Sequence, residues 1–430
     1  MPTSRRTVVF FLGIGGATVA SLTAAGFLYR AVDRGSFSDL QGGGPFEPWR
    51  EWQEGRLLDS EGVALAGTLA ASSLNTQPWL FRLERHVVDL YLNRRSYALF
   101  IDPYDRDVLL GLGCCIENMM TAAEGLGTPA SLRYFPNPDN SDHVARLTLG
   151  TGAPNETPRF LAIANRHTNR SRYHRDRMPS ASILATLKRL SPSGPASFRL
   201  FAAESPAGQS FIEGTLAATE EFTSDPSMMT ESFRWFRQTM DQVKAARDGT
   251  SFLSSGLTDL QVRTGIALPD INMNSYSQMW LETTRNDQMP YTPMFGLLCV
   301  DDLSNPTHLL EAGRLLQRLH LEVTARNLAL QPLSQMNRIA DREEARGGLP
   351  VFRERLASLS GGQGYVVLGL RLGYPKRPAR ISPRRPFPTV LVPRLGPLRP
   401  THVHGAPPPS GPSKAPNPRM NGPVSNPPKK

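Results

Sequence analysis

The chain contains 430 residues, 40% of them hydrophobic, enough for two or three ordinary domains or for one large two-part fold. Its net charge of +10 resides at the ends: residues 374–430 hold eleven Lys or Arg and no Asp or Glu, and the first 41 residues add two net positive charges, so residues 42–373 are left near −3. The basic tail lacks interleaved aromatic residues, so we expect no nucleic-acid partner. Three cysteines without a CxxC pair or a Cys/His cluster predict neither a metal site nor a disulfide framework.

The first 34 residues have the pattern of an export signal. Arg5 and Arg6 precede an almost uncharged apolar stretch over residues 7–29, and Arg30 and Arg34 follow it. The beginning of this segment resembles the twin-arginine export signal. The stretch is long enough to span a bilayer and no A-x-A cleavage site is evident, so a cleaved signal and an uncleaved N-terminal membrane anchor both stay open. We therefore expect the protein to use the twin-arginine export machinery and to be periplasmic or anchored in the inner membrane.

Between the ends, short apolar runs alternate with longer amphipathic segments. Strands are predicted at residues 79–83, 87–92, 144–149, 294–300 and 365–370, and helices at residues 61–69, 107–125 and 307–330. Gly127 and Asn327, near the ends of the two long helices, suit a helix C-cap. This mixture predicts an α+β fold. Residues 393–430 are dominated by Pro, Gly, Ser, Asn and Lys and are predicted to be disordered, because such a segment buries too little apolar surface.

The two long helices resemble each other. LGCCIENMMTAAEGLG and AGRLLQRLHLEVTARNLA each carry a glycine near the start, Gly113 and Gly313, and each has an apolar face. A strand followed by a helix thus occurs twice, which suggests an internal duplication.

The most informative segment is ASSLNTQPW at residues 71–79, which joins the helical stretch 61–69 to the strand that begins at Trp79. Small hydroxyl residues and an Asn allow the backbone to approach a planar ligand and offer donors and acceptors to a heteroaromatic edge. Pro78 and Trp79 fix the exit of the chain into the sheet. From these residue types alone, a loop with a polar tip is the simpler interpretation.

SSLNTQPW resembles the S-S-x-N-x-Q-P-W signature of the FMN-dependent nitroreductase family, and in particular of its single-chain branch, which often reads HNTQPW. The resemblance continues in chain order through DLYLNRRSYALFIDPYDRDVLLGLGCCIENM, RHTNR at residues 166–170, and GYVVLGLRLGYP followed by SPRRP. It extends over residues 45–392. It implies a nitroreductase-like fold with two similar halves, residues 42–158 and 159–392, that form a pseudo-dimer within one chain.

In this family the flavin site combines parts of two subunits, and each of those parts is present once in this chain. The resemblance implies that FMN is bound by Ser72, Ser73, Leu74, Asn75, Arg166, Thr168, Arg170, Leu333, Ser334, Gln335, Arg384 and Arg385. The arginines would clamp the phosphate, with either Arg384 or Arg385 contributing and the Thr168 hydroxyl adding a donor. The Asn75 amide would meet the polar edge of the isoalloxazine. Since neither half repeats the motif of the other, we expect one FMN per chain and no obligate dimer.

The resemblance implies an FMN-dependent oxidoreductase in which flavin N5 carries a hydride from a small-molecule donor to a nitroaromatic or quinone-like acceptor, without a catalytic side chain. Two features depart from the family pattern: Leu74 stands where relatives often carry His, and residues 222–288 form a long insertion that suits either a lid or a packing element. Both favour an alternative, a flavin-binding or flavin-sequestering protein with little turnover. A third interpretation, a structural module that has lost the flavin, is disfavoured by Arg166, Arg170 and Asn75.

Overall fold

The protein is built around two four-stranded antiparallel sheets, as seen in a computed structural model that describes residues 24–191 and 194–392. The first sheet has the strand order β1-β2-β4-β3 and the second the order β5-β8-β10-β9, and a small parallel pair joins β6 to β7. The strands are β1 (Trp79–Glu84), β2 (Val87–Leu92), β3 (Ala130–Tyr134), β4 (His143–Leu149), β5 (Ala196–Ala202), β6 (Phe236–Arg237), β7 (Thr250–Ser251), β8 (Met294–Val300), β9 (Ala329–Leu333) and β10 (Tyr365–Gly373).

Helices cover the sheets and form most of the inserted segment 222–288. Within the described residues they are α1 (Ala24–Asp33), α2 (Glu47–Gln53), α3 (Asp59–Thr68), α4 (Arg106–Gly125), α5 (Pro158–Ala162), α6 (Ala181–Lys188), α7 (Pro206–Ser224), α8 (Pro226–Arg234), α9 (Met240–Ala246), α10 (Asp259–Ala267), α11 (Met273–Thr283), α12 (Pro306–Thr324), α13 (Gln335–Ala345) and α14 (Val351–Ser360). With the two sheets, they make the predicted α+β class correct.

The same topology occurs in each sheet. The order along the sheet is first, second, fourth and third strand, counted along the chain, and a long helix connects the second strand to the third. That helix is α4 in the first case and α12 in the second. Both sheets are antiparallel throughout, so they share the same hydrogen-bonding pattern as well as the same connections.

Helices α4 and α12 cross where Gly113 meets Gly313. A Cβ atom built on Gly113 would lie 2.2 Å from the carbonyl oxygen of Leu310, and one built on Gly313 would lie 2.2 Å from that of Leu110. Leu110 and Gly113 occupy in α4 the positions that Leu310 and Gly313 occupy in α12, so the two contacts are equivalent. Only glycine permits this backbone approach, because any side chain would overlap the opposite helix.

Each predicted strand is present. The four-stranded sheets also contain three strands that the sequence pattern did not predict, and each of them lies at a sheet edge. These missed strands are β3, β5 and β9. Edge strands are partly solvated: β3 buries none of its side chains fully, and β9 contains Pro332, which an edge tolerates. The helix predicted at residues 307–330 was too long, because it ends at Thr324 and its last two residues belong to β9. Asn327 has the left-handed φ of 58° that terminates it.

The predicted signal and tail lie mainly outside the described residues, which exclude residues 1–23 and 393–430. From Ala24 onward the chain joins the folded body: α1 packs against α10, and Arg34 donates from Nη1 to the Leu268 carbonyl at 2.9 Å. None of the helices between residues 24 and 392 has the length and apolar character needed to cross a bilayer.

Candidate functional site

Ten of the twelve residues expected to bind FMN line one cavity of 240 Å³. We call it the main cavity. It lies among the loop that follows α3, the first half of α4, the β9–α13 junction and the inserted segment 222–288. The ten residues are Ser72, Ser73, Leu74, Asn75, Arg166, Thr168, Arg170, Ser334, Gln335 and Arg384. They come from both halves of the chain.

The loop that precedes β1 has an unusual backbone. Leu74, Asn75 and Gln77 have φ values of 49°, 55° and 52°. These values lie in the left-handed region, which is unfavourable for residues other than glycine. Each such residue costs of order 1–3 kcal/mol and persists only where the surroundings impose the conformation. The strain is therefore concentrated at the wall of the main cavity.

Hydrogen bonds to the distant C-terminal segment and to the insertion hold this loop. Asn75 Nδ2 donates to the carbonyl oxygens of Pro383 at 3.0 Å and Gly249 at 3.3 Å, and Asn75 Oδ1 accepts from Arg384 Nη1 at 2.7 Å. The Asn75 amide is thus engaged by protein partners, which differs from its expected role at an isoalloxazine edge. Its structural role is to tie three distant segments together.

Two buried arginines meet the C-terminal end of α3. Arg166 is 2% exposed and donates from Nη2 to the Leu69 carbonyl at 2.8 Å. Arg384 is 1% exposed and donates to the carbonyl oxygens of Thr68 at 2.8 Å, Ala70 at 3.0 Å and Leu69 at 3.2 Å. The last carbonyls of a helix have no partners within the helix and carry partial negative charge, so they stabilise both guanidinium groups without neutralising them.

Arg170 completes a set of three cavity arginines that lack a carboxylate partner among the described residues. Its Nη1 donates to the Ser254 carbonyl at 3.0 Å. Burial lowers the pKa of Arg166 to about 10 and lowers the pKa of Arg170; the pKa of Arg384 is lowered well below its usual range by burial and by the charge of Arg166. Because a bound anion would relieve this unfavourable burial of charge, the main cavity is suited to an anionic group.

Asp107 is the one acidic side chain among the described residues that line the main cavity, and it is already paired. Its Oδ2 accepts from Arg338 Nε at 3.0 Å and Nη2 at 2.9 Å, and its Oδ1 lies 3.1 Å from Arg106 Nη2. Although burial alone would raise it, the pKa of Asp107 is lowered by these two arginines. Arg338 Nη2 also donates to Ser73 Oγ at 2.6 Å and so anchors the loop. The carboxylate therefore leaves the excess positive charge of the cavity in place.

The insertion forms the remaining wall. Phe236, Tyr276, Met279 and Trp280 line the main cavity, and all four lie within residues 222–288. They also belong to or pack against a second hydrophobic core that includes Phe222. The insertion thus forms part of the cavity wall and contributes to the core at the same time. The sequence of this segment suits either a lid or a packing element, and it contains no motif that places these side chains at a ligand.

Leu333 and Arg385 do not line the main cavity. Leu333 is buried in β9 and belongs to a hydrophobic core, whereas its neighbours Gln331, Pro332 and Ser334 line the cavity. Arg385 donates from Nη1 to the carbonyl oxygens of Thr76 and Gln77 and from Nη2 to an Asp248 carboxylate oxygen at 2.6 Å. Of these two neighbouring arginines, Arg384 lines the main cavity and Arg385 does not.

Stability is expected to depend on pH through Asp102, whose carboxylate accepts from the backbone N–H groups of Asp107 and Val108, both at 2.9 Å. Burial and the charge of Asp107 raise its pKa from 3.8 to about 7. An acid whose pKa is raised on folding contributes stability that is complete below its unfolded pKa and is lost as the pH rises to the folded one. Relative to Asp102→Asn, the wild type should lose at most about 1.4 kcal/mol per pH unit between pH 4.5 and 7. Urea denaturation at a series of pH values measures the difference, and parallel curves would contradict the prediction.

Comparison with known proteins points to nitroreductases over part of the chain. No protein-family model matches. The chain is 35% identical over 78 residues to "Putative NAD(P)H nitroreductase acg" of Mycobacterium tuberculosis, which covers 18% of this chain and 24% of that protein. It is 28% identical over 141 residues to "Putative NAD(P)H nitroreductase Rv3131" of the same organism, which covers 32% of this chain and 41% of that protein. The chain thus matches well under half the length of these relatives.

Solved nitroreductase structures resemble the chain more distantly. An FMN- and NADPH-dependent nitroreductase, NfnB, from a Sphingopyxis strain aligns with 55% of this chain and 99% of its own, at 16% identity and a TM-score of 0.36. NfnB from Mycobacterium smegmatis, in complex with NADPH, aligns with 53% of this chain and 94% of its own, at 14% identity and a TM-score of 0.34. With TM-scores below 0.5, these likenesses do not by themselves define the fold or the activity of this chain.

Proposed function

We propose that the main cavity holds FMN and that the protein is an FMN-dependent oxidoreductase of the nitroreductase type. The observation that carries the proposal is the presence of Arg166, Arg170 and Arg384 in one cavity without a carboxylate partner among the described residues. The SSLNTQPW motif and the named nitroreductase relatives support the identity of the ligand.

The residues of the cavity fit the group. Arg166 Nε is a buried donor without a protein partner, so this guanidinium still has an N–H group that can donate to a phosphate oxygen. Thr168 and Ser72 add hydroxyl groups to the cavity, and the aromatic and Met side chains of the insertion provide an apolar wall for a planar ring. Arg166, Arg170 and Arg384 would hold the phosphate, and the loop at residues 72–75 would contact the ring system.

When bound, FMN supplies hydride transfer at N5 between a small-molecule donor and a nitroaromatic or quinone-like acceptor. The protein's own residues bind, orient and exclude water. Phe236, Tyr276 and Trp280 would displace water from the ring system, and Leu74 adds a further apolar side chain to the cavity wall. No side chain of the cavity is required as a nucleophile.

The repeated topology supports a fused pseudo-dimer with a single flavin site. The counterpart of the main cavity would lie beside the first turns of α12 and the start of β5. There Arg318 pairs with Glu117 at 2.8 Å, and Arg314 pairs with both Glu117 and Glu311 at 3.0 Å, so two carboxylates face two arginines. Since these cations are neutralised, the counterpart lacks the unpaired positive charge that suits an anion.

Purified protein is therefore expected to release one FMN per chain on denaturation. Absorbance of the released flavin, set against the protein concentration, measures the ratio. Two flavins per chain would contradict the single-site argument, and a ratio near zero after reconstitution with FMN would contradict the flavin proposal itself.

A flavin-sequestering protein with little turnover is the second candidate, because side chains of the insertion form one wall of the cavity. Reduction of the bound flavin distinguishes the two functions. Bleaching of the flavin absorbance by NADH or NADPH and recovery on addition of a quinone support an oxidoreductase. Bleaching by dithionite alone supports sequestration.

We also propose export by the twin-arginine route to the periplasm or the inner membrane, on the pattern around Arg5 and Arg6. The full-length chain should then appear outside the cytoplasm, as judged by fractionation and by protease added to spheroplasts. The double variant Arg5→Lys, Arg6→Lys should be retained in the cytoplasm. Identical cytoplasmic distribution of both proteins would exclude this route, and NAD(P)H would then be an accessible donor.

A further inference from the structure

Three buried polar side chains form a hydrogen-bonded chain that ends at the main cavity. Arg371 is fully buried and donates from Nε to Gln331 Oε1 at 2.7 Å. Gln331 Nε2 donates in turn to Gln288 Oε1 at 3.3 Å. Gln331 and Gln288 are 5% and 4% exposed, and both line the main cavity.

The direction of this chain is fixed by the chemistry of its first member. A guanidinium group has donors only, so the Gln331 atom that faces Arg371 must be the carbonyl oxygen. The Gln331 amino group then faces Gln288 and requires an oxygen there, which settles the orientation of the second amide as well. The amino group of Gln288 is consequently the end of the chain that is left to donate.

Further contacts fix the orientation of the Arg371 guanidinium group. Its Nη2 donates to the carbonyl oxygens of Ser171 at 2.8 Å and Asn169 at 3.4 Å, and its guanidinium lies 4.1 Å from the centre of the Tyr173 ring. These partners occupy the sides of the guanidinium that do not face Gln331. The first amide is therefore oriented by a group that cannot rotate to offer another interaction.

Gln288 occupies an irregular position in the backbone. It ends the π-helical turn Thr284–Gln288 that follows α11, and its own carbonyl accepts from Thr292 Oγ1 at 2.6 Å. Single π turns occur frequently at functional sites because they redirect one side chain. Gln288 Nε2 makes no side-chain hydrogen bond among the described residues and keeps accessible surface, and the side chain lines the main cavity. A donor that opens into a cavity and has no protein partner is free to bind an acceptor on a ligand.

We propose that Gln288 donates a hydrogen bond to an oxygen atom conjugated to the aromatic system of the ligand in the main cavity. Nitro, quinone and flavin carbonyl oxygens share this chemistry. Arg371, acting through Gln331, is a positioning residue that keeps the Gln288 donor directed at the cavity. The inference rests on the proposed function for the presence of FMN.

The test uses full-length protein and two binding measurements. One is the affinity of flavin-free protein for FMN, and the other is the affinity of the oxidised, flavin-loaded protein for nitrobenzene, compared with toluene, which has a similar shape but no oxygen. Gln288→Met should weaken one of the two oxygen-dependent affinities about three- to tenfold, and Gln288→Glu should weaken it more, because a carboxylate repels the ligand oxygen. A loss of FMN affinity assigns the flavin carbonyl, and a loss for nitrobenzene alone assigns the acceptor. Toluene binding should not change.

Variants of Arg371 test positioning separately from packing. Arg371→Lys keeps a group with donors only and should retain most of the affinity, whereas Arg371→Gln permits either orientation of Gln331 and should reproduce the loss seen in Gln288→Met. Gln238→Met is the matched control, because Gln238 is a buried amide of the same insertion that bonds to the carbonyls of Gly265 and Pro269 and does not line the cavity.

The inference would be overturned if Gln288→Met and Gln288→Glu both kept the affinities for FMN and for nitrobenzene within twofold of the wild-type values. The Gln288 variants keep it testable if those of Arg371 fail to fold. Wild-type protein that binds no FMN would instead overturn the proposed function, and this inference with it.

Discussion

Replacing Arg166 or Arg384 with Met is expected to lower the affinity for FMN by roughly 10- to 150-fold each, because each change removes a charge-assisted contact of about 1.5–3 kcal/mol with the phosphate. Both side chains are buried in the main cavity, and their hydrogen-bond partners among the described residues are carbonyl, amide, hydroxyl or imidazole groups. The loss should therefore appear in binding, as measured by titrating flavin-free protein with FMN and following the quenching of flavin fluorescence.

Two matched variants separate phosphate binding from stability. Arg385→Met removes a neighbouring arginine that fastens the loop through Thr76, Gln77 and Asp248 but does not line the cavity, so its effect on FMN affinity should be the smaller one. Arg133→Met, in the exposed part of β3, should change nothing. Thermal unfolding of the flavin-free proteins shows whether each variant is folded. Folded Arg166 and Arg384 variants with wild-type affinity would refute the assignment of both residues to the phosphate.

The sequence was informative about the site where a motif fixes the backbone. Ser72, Ser73, Leu74 and Asn75 follow one another in a loop, so their common location needs no knowledge of the rest of the fold. Arg166 and Arg384 could be assigned only through the family resemblance, because 218 residues separate them and no local pattern distinguishes them from solvated arginines. The structure brings them together at the carbonyls that end α3.

Errors arose where the outcome depends on packing between distant segments. The family resemblance included Leu333 with the rest of residues 331–335, but the structure buries its side chain in a hydrophobic core outside the main cavity. The pairing of Asp107 with Arg338 spans 231 positions and leaves no trace in either local sequence. The same holds for the chain from Arg371 to Gln288, which depends on two strands and a π-helical turn meeting at one point. Such contacts require the tertiary structure.

The largest effect on stability is expected from Gly113→Ala. A Cβ at this position would lie 2.2 Å from the Leu310 carbonyl oxygen and 2.8 Å from Gly313 Cα, both backbone atoms that can move only if α4 and α12 separate. Overpacking of this kind typically costs about 1–3 kcal/mol, and a backbone obstacle should place the cost at or above the upper end, exceeding the gain of about 1 kcal/mol in helix propensity. Because α4 and α12 both line the main cavity, FMN affinity should fall as well.

Gly111→Ala, in the same helix, is the matched control for that change. Its Cβ would meet nothing closer than 3.5 Å, an ordinary contact with Ser72, so the gain in helix propensity should leave the protein as stable as the wild type or slightly more stable. Urea denaturation of both variants measures the difference in the free energy of unfolding. If Gly113→Ala were as stable as Gly111→Ala, the close crossing of the two helices could not be what joins the halves of the chain; a large difference would identify this crossing as the contact that sets the geometry of the site between them.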